Sequence, residues 1–236
     1  MVRLLNNVYD IEHRSYFMSE KKMELTPLKI RSHGASSVMQ YDERYAPYIE
    51  MTGLLPFVQL VSRSTPNLNA ATVTTLIDRW RPETHSFHLR TGEMTVTLQD
   101  VSMITALPIE GKPLCMSTDS EGWRQQMEAL IGKNAPWMWL KALTVFDNKF
   151  SWGSAALAYL YRQLDDACRR TTKDGGVGGC MLLLSVWSWE RLPVGRPKSS
   201  QWNTWNDHGN PVRQPTWAYK WDLVSEVASE VNFMFE

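Results

Sequence analysis

The densest group of residues able to bind or react lies late in the chain. It reads Trp187-Ser-Trp189-Glu190-Arg191-Leu-Pro193-Val-Gly195-Arg196-Pro197, with Trp202 and Trp205 after it. Trp and Arg dominate binding hot spots, and a guanidinium over an indole face gains about 0.5–2 kcal/mol of cation–π attraction. On a helix, Trp187 and Trp189 point about 200° apart. One is therefore expected to pack inward and the other to lie at the surface beside Arg191. Arg196 sits between a glycine and a proline, which limits its backbone freedom; it suits either an internal clamp or a docking point for a protein. Trp187, Trp189, Arg191, Arg196 and Trp202 are the candidate partner-binding set. The competing reading is an intramolecular stack that pins a long loop to the core.

Other chemistry is weaker. Glu83, His85, His88 and Glu93 are the residue types of a metal site, but ligands must converge. On a strand, positions 85 and 88 face opposite sides, so hydrogen-bonded structural histidines are the expectation. Gly175–Gly179 lacks the Gly-Lys-Ser/Thr ending of a phosphate loop and is expected to be a helix stop and flexible turn. No serine sits in a Gly-x-Ser-x-Gly elbow. Asp165 and Asp166, with Arg162 and Arg169 one turn away, read as a solvated charge face. The run Thr97–Pro108 looks like the first helix of a helix-turn-helix, but Gly111-Lys-Pro-Leu-Cys is not a basic reading helix. No catalytic residue, metal ligand or cofactor site is therefore assigned.

Periodicity supplies the elements that must position these residues. Tyr45, Tyr48, Ile49, then Leu54, Leu55, Phe57, Val58 and Val61, predict two short helices hinged at Gly53. Asn69 is placed to cap a helix whose face carries Val73, Leu76, Ile77 and Trp80. Ser86–Leu89 and Met94–Thr97 predict a β-hairpin around Thr91-Gly92. Thr97-Leu-Gln-Asp100 is a variant capping box opening a helix through Val101 and Ile104. Further helices are predicted at Glu121–Ile131 and Ser151–Arg170, and at Met181–Arg191, which is apolar all round and so buried. Pro193–Pro215 reads as a long ordered loop, and Trp217, Trp221, Val224, Val227, Val231 and Met234 as a final amphipathic helix. Residues 1–40 are poorly patterned and read as a flexible, disordered leader. The expected core includes Trp80, Phe87, Leu98, Val101, Leu157, Leu160, Leu183 and Val186. The fold class is mainly α: a single globular helical domain over residues 41–236 with a small β-hairpin.

The 236 residues carry 25 basic and 25 acidic side chains, which argues against an electrostatic nucleic-acid binder. Hydrophobic residues at 43% and charged ones at 21% exclude wholesale disorder. Eleven tryptophans imply a bulky core or an aromatic docking face. Cys115, Cys168 and Cys180 are odd in number and widely spaced, which fits a reducing compartment. The longest apolar run falls far short of the roughly 18 residues of a membrane span, and Met1–Asp10 lacks a secretory core. A soluble intracellular protein of cytosol or nucleus is expected, with no membrane partner.

Three stretches in order carry a family resemblance: Trp80-Arg-Pro-Glu-Thr-His-Ser-Phe-His-Leu, Gly92-Glu-Met-Thr-Val-Thr-Leu-Gln-Asp-Val and Ala106-Leu-Pro-Ile-Glu-Gly. Phe150-Ser-Trp-Gly-Ser-Ala-Ala-Leu-Ala-Tyr-Leu-Tyr-Arg, Gly179-Cys-Met-Leu-Leu-Leu and Trp187-Ser-Trp-Glu-Arg-Leu-Pro-Val-Gly-Arg-Pro follow. Over roughly residues 41–225 the chain resembles the plant mobile domain family, also labelled aminotransferase-like. The resemblance implies a non-enzymatic interaction module in the plant nucleus, linked to meristem maintenance and development, genome stability and transposon silencing. It implies a nuclear protein partner, with a serine/threonine phosphatase-like protein the named expectation. It carries over no catalytic residue, and no lysine-and-phosphate cradle for pyridoxal phosphate is recognisable. Relatives have a longer segment where Leu140–Phe150 stands, so the domain is expected to be internally shortened near 140–150. A transposon-derived nucleic-acid-associated protein and a degenerate enzyme are the alternatives; direct DNA binding is not expected.

Overall fold

The computed structural model describes residue 8 and residues 10–31, 42–63, 68–114, 149–192, 196 and 216–221. The predicted helix at 121–131, most of the 193–215 loop and the final helix beyond Trp221 lie outside the described residues. Helices dominate the rest, with two small sheets.

Chain order is α1 (Arg14–Ser19), β1 (Lys29–Ile30), a 3-10 turn at Glu43–Tyr45, α2 (Ala46–Met51), α3 (Leu55–Arg63) and α4 (Ala70–Ile77). Strands β2 (Trp80–Arg81), β3 (Ser86–Leu89) and β4 (Gly92–Met94) come next. The remainder is α5 (Leu98–Thr105), α6 (Trp152–Ala167), β5 (Gly176–Val177), α7 (Met181–Arg191) and a 3-10 turn at Trp217–Trp221.

The hinge between α2 and α3 is where the sequence places it. Gly53 has φ +73, and a β-carbon there would lie 2.8 Å from Pro108 Cγ, so both backbone and space require glycine. Asn69 caps α4, accepting from the amides of Ala71 (2.9 Å) and Thr72 (3.2 Å). Helix α4 stops at Ile77, so Trp80 belongs to β2 and not to the helix face. Pro82 forces the residue before it out of the helical region, and the freed backbone pairs Trp80 with Phe87 and Arg81 with Ser86. The expected hairpin thereby becomes a three-stranded antiparallel sheet. Its last strand is Gly92–Met94, pairing His88 with Glu93 and Phe87 with Met94, because Thr97 is engaged in capping.

The core lies between this sheet and α4, α5, α6 and α7. Trp80, Phe87, Val101, Leu160, Leu183 and Val186 are buried as predicted. Leu157 is only partly buried, and Leu98, at the first position of α5, is 38% exposed. Helix α7 is buried from Met181 to Trp189, as an all-round apolar sequence demands.

The leader reading is corrected over residues 10–31. Arg14, 1% exposed, donates from Nε to Asp78 Oδ1 (2.9 Å), from Nη1 to the Arg170 carbonyl (2.5 Å) and from Nη2 to the Thr26 carbonyl (3.3 Å). Leu28 is 1% exposed, and its amide donates to Thr74 Oγ1 at 2.9 Å. Lys29–Ile30 pairs in parallel with Gly176–Val177, so Gly175–Gly179 is part strand and not simply a flexible turn. Local patterning missed this strap because its partners lie 46 to 156 positions away.

His13 completes the strap. Its Nδ1 accepts from the Ser15 amide (3.1 Å) and its Nε2 faces the Trp80 carbonyl at 3.0 Å. One nitrogen accepting and the other donating is the neutral ring. Burial first, then the nearby Arg81 guanidinium, hold its pKa down to about 4 from 6.5. The unfolded chain therefore binds a proton between those values that the folded chain refuses, and stability must rise with pH across that window. Chemical denaturation between about pH 4 and 6.5 should show roughly 3 kcal/mol of pH-dependent stability that His13→Gln reduces. A separate check is core depth: Leu160→Ala should cost about 2–5 kcal/mol and half-buried Leu157→Ala clearly less, read from urea midpoints.

Candidate functional site

The tryptophan-and-arginine segment is built on the C-terminal end of α7. Trp187 and Trp189 do point to opposite sides, but both are buried, at 1% and 2% exposure. The expectation of one surface-facing indole is corrected. Because α7 is enclosed all round, each side offers a partner: Trp187 meets the Phe87 ring at 5.2 Å, and Trp189 meets Trp221 at 5.0 Å. Neither indole is presented to a docking protein in this fold. The aromatic side chains left most exposed among the described residues are Tyr45 and Tyr48. Trp202 lies outside the described residues.

Both arginines turn inward. The last carbonyls of a helix have no partner within it. Arg196 fills this need, donating from Nε to the Trp189 carbonyl at 2.9 Å and from Nη2 to the same oxygen. Its guanidinium lies 5.8 Å from the Trp221 ring centroid, and the Trp221 indole N–H donates to Glu190 Oε1 at 2.9 Å. Arg191 donates from Nε (3.0 Å) and Nη2 (2.6 Å) to Asp100 Oδ1 and stands 5.2 Å from the Trp217 centroid.

Asp100 is where this cluster meets α5. It accepts from the Thr97 amide (3.0 Å) and the Thr97 hydroxyl (2.8 Å) on its other oxygen, while Thr97 Oγ1 receives the Asp100 amide at 3.2 Å. This is the predicted capping box, complete. Burial alone would raise the Asp100 pKa, but the hydrogen bonds from Arg191 and Thr97 outweigh it and hold the carboxyl below its ordinary range. The capping role of Asp100 is readable at three-residue spacing from Thr97; its pairing with Arg191, 91 positions on, is not.

The other charged candidates are also reassigned. Asp165 is not merely solvated: its Oδ1 takes the Trp80 indole N–H at 2.7 Å, and its Oδ2 lies 3.3 Å from His85 Nε2. His88 Nε2 instead lies 3.3 Å from Glu93 Oε2. The two histidines thus diverge, but not by strand alternation: His85 lies in the turn before β3 with φ +49, and only His88 is on the strand; no group of three potential metal ligands occurs among the described residues. Burial pushes the Cys168 thiol up to about 12, which leaves it a poor nucleophile.

The geometry sets three positions apart. Arg191 is 41% exposed in its side chain, so solvent weakens its pair; Arg191→Ala should cost about 1–2 kcal/mol. Thr97→Ala should cost about 1 kcal/mol and Thr97→Ser little, whereas Thr97→Asp sets a second carboxylate against Asp100 and should not rescue. Arg196→Ala should lower the melting midpoint. Because the folded Asp100 pKa is depressed, its contribution is full above the ordinary carboxylate pKa and is lost as pH falls through the folded value. Urea titrations of Asp100→Asn, Arg191→Ala and the double variant should show non-additive losses.

Comparison with known proteins matches this architecture to a family. The family model described as plant mobile domain matches residues 56–144 and 138–234. The chain is 35% identical to the Arabidopsis thaliana "Serine/threonine-protein phosphatase 7 long form homolog", over 55% of this chain and 14% of that protein. It is 29% identical to "Protein MAINTENANCE OF MERISTEMS" of the same plant, over 56% of this chain and 39% of the relative. It is also 29% identical to "Protein MAIN-LIKE 2", over 62% and 29%. The chain thus spans well under half the length of these relatives. No solved structure matches it. With the matched model running through the sheet, the capping box and the buried tryptophan helix, the chain belongs to the plant mobile domain family.

Proposed function

We propose that this chain is a non-enzymatic protein-interaction module of the plant nucleus, acting in meristem maintenance and development and in silencing of transposons. The observation that carries the reading is its likeness to relatives named for maintenance of meristems. The use of its reactive groups supports it. Asp100 and Asp165 are committed to internal partners, and the Cys168 thiol is held protonated by burial. No helix among the described residues is long and apolar enough to cross a membrane.

A serine/threonine phosphatase-like protein is the partner we propose, prompted by the phosphatase name of one relative. In that relative the matched region is 14% of a much longer chain.

The test is to express the tagged chain in plant cells, locate it by microscopy and capture its partners from isolated nuclei. Nuclear accumulation and retention of a phosphatase-like protein are expected, with retention reduced by Leu160→Ala because the folded domain is needed. Exclusion from the nucleus, or retention indifferent to unfolding, overturns the reading. Binding to DNA that weakens steeply with salt would replace it with the nucleic-acid-associated alternative.

A further inference from the structure

We propose that the outer face of α2 is the surface on which this domain binds a protein partner, and that the partner presents an apolar anchor flanked by lysine or arginine. This rests on the reading of the chain as a protein-interaction module and gives that module a place. Tyr45, Tyr48 and Met51 follow one another at three-residue spacing along the 3-10 turn and α2, which sets them in one ridge. They are 58%, 62% and 59% exposed, and α2 contains no buried residue. Single exposed apolar side chains are ordinary, but a contiguous row of large ones marks an interaction surface. Tyrosine also dominates binding hot spots and has few rotamers to freeze.

The ridge is held in place at both ends. A helix this short would not keep its shape alone in water. Past its last residue, the indole N–H of buried Trp152 donates to the Thr52 carbonyl at 3.1 Å, and the Gly53 amide donates to the Glu50 carbonyl at 2.9 Å. At its start, Asp42 accepts from the Arg44 amide at 2.9 Å. Binding therefore has little backbone left to order.

Charge selects the partner. Arg44 folds back onto Asp42, donating from Nε to Oδ1 at 3.0 Å and to Oδ2 at 2.9 Å, so these two charges cancel. Glu43 and Glu50 are exposed, and their seven-residue spacing puts them about two turns apart on one flank of the ridge. Neither forms an ion pair with another described residue. The ridge thus carries uncompensated negative charge beside two tyrosine ring faces. Both features attract a cation, the carboxylates by charge and the rings by cation–π contact. The phosphates of a nucleic acid or an acidic membrane would be repelled.

The test selects a phage-displayed random peptide library against the full chain and measures the affinity of the consensus peptide by fluorescence anisotropy. The selected peptides are expected to carry lysine or arginine beside an aromatic or aliphatic anchor. Combining Tyr45→Ala, Tyr48→Ala and Met51→Ala should weaken binding by at least about tenfold and leave the melting midpoint unchanged, because these side chains lie outside the core. Glu43→Gln with Glu50→Gln should weaken binding several-fold and flatten its salt dependence. Failure to select any peptide, a consensus without basic residues, or equal binding to the triple variant overturns the proposal. Self-association of the wild-type chain that the triple variant loses also overturns it, by giving the ridge to a second copy. Should the triple variant melt early, the glutamate pair decides, and undiminished binding to it overturns the proposal. Capture from nuclei separates this inference from the reading it rests on. Partners retained equally by the wild-type chain and the triple variant sink the surface and leave the interaction module standing, whereas a wild-type chain that retains none sinks the module itself.

Discussion

The junction of Asp100 with Arg191 joins the start of α5 to the end of α7. Asp100 stands in the first turn of α5, where the helix presents unpaired amides and the positive end of its dipole. Arg191 stands in the last turn of α7, at the negative end of that helix. Their hydrogen bonds at 2.6 and 3.0 Å therefore tie the positive end of one helix to the negative end of another with one ion pair. The Trp217 and Trp221 turn folds over the same point, under Arg191 and Arg196. Remove the carboxylate, and a cap, a terminus and the seat of the last turn lose their common anchor.

The legible parts of the fold were those whose signals are local. Asn69 and Thr97 announce helix starts within three residues, Gly53 announces a hinge, and Met181–Trp189 announces burial through unbroken apolarity. The illegible parts were set by distant partners. Arg14 looks like any solvated arginine until Asp78 and the Arg170 carbonyl surround it. Asp165 looks like half of a surface acidic pair until the Trp80 indole reaches it. The two tryptophans on α7 fall between these cases: their opposed directions were plain from helix geometry, but both sides proved covered, because Phe87 and Trp221 come from elements that periodicity does not connect to α7.

The same logic explains why the tryptophans among the described residues show so little of themselves. Trp80, Trp187, Trp189 and Trp221 are among the largest fully buried side chains. Each large ring is enclosed by another aromatic group or by an apolar element, and the polar indole N–H of Trp80 and of Trp221 is given a carboxylate. Bulk fills the core and the N–H groups orient it, so these four tryptophans act as a packing device.

The amino-terminal strap also dictates an order of events during synthesis. Its anchors are the carbonyls of Cys168 and Arg170 and the backbone of Gly175–Val177. A ribosome makes residues 10–31 before their partners in the rest of the chain, the nearest 46 positions on and the farthest 156, and domains complete only when non-local contacts can form. Until residues 168–177 are made, Arg14 and Leu28 can meet only Asp78 and Thr74 outside the strap, and the strap stays incompletely docked. The last anchors of the strap are thus set only once residues 168–177 have been made.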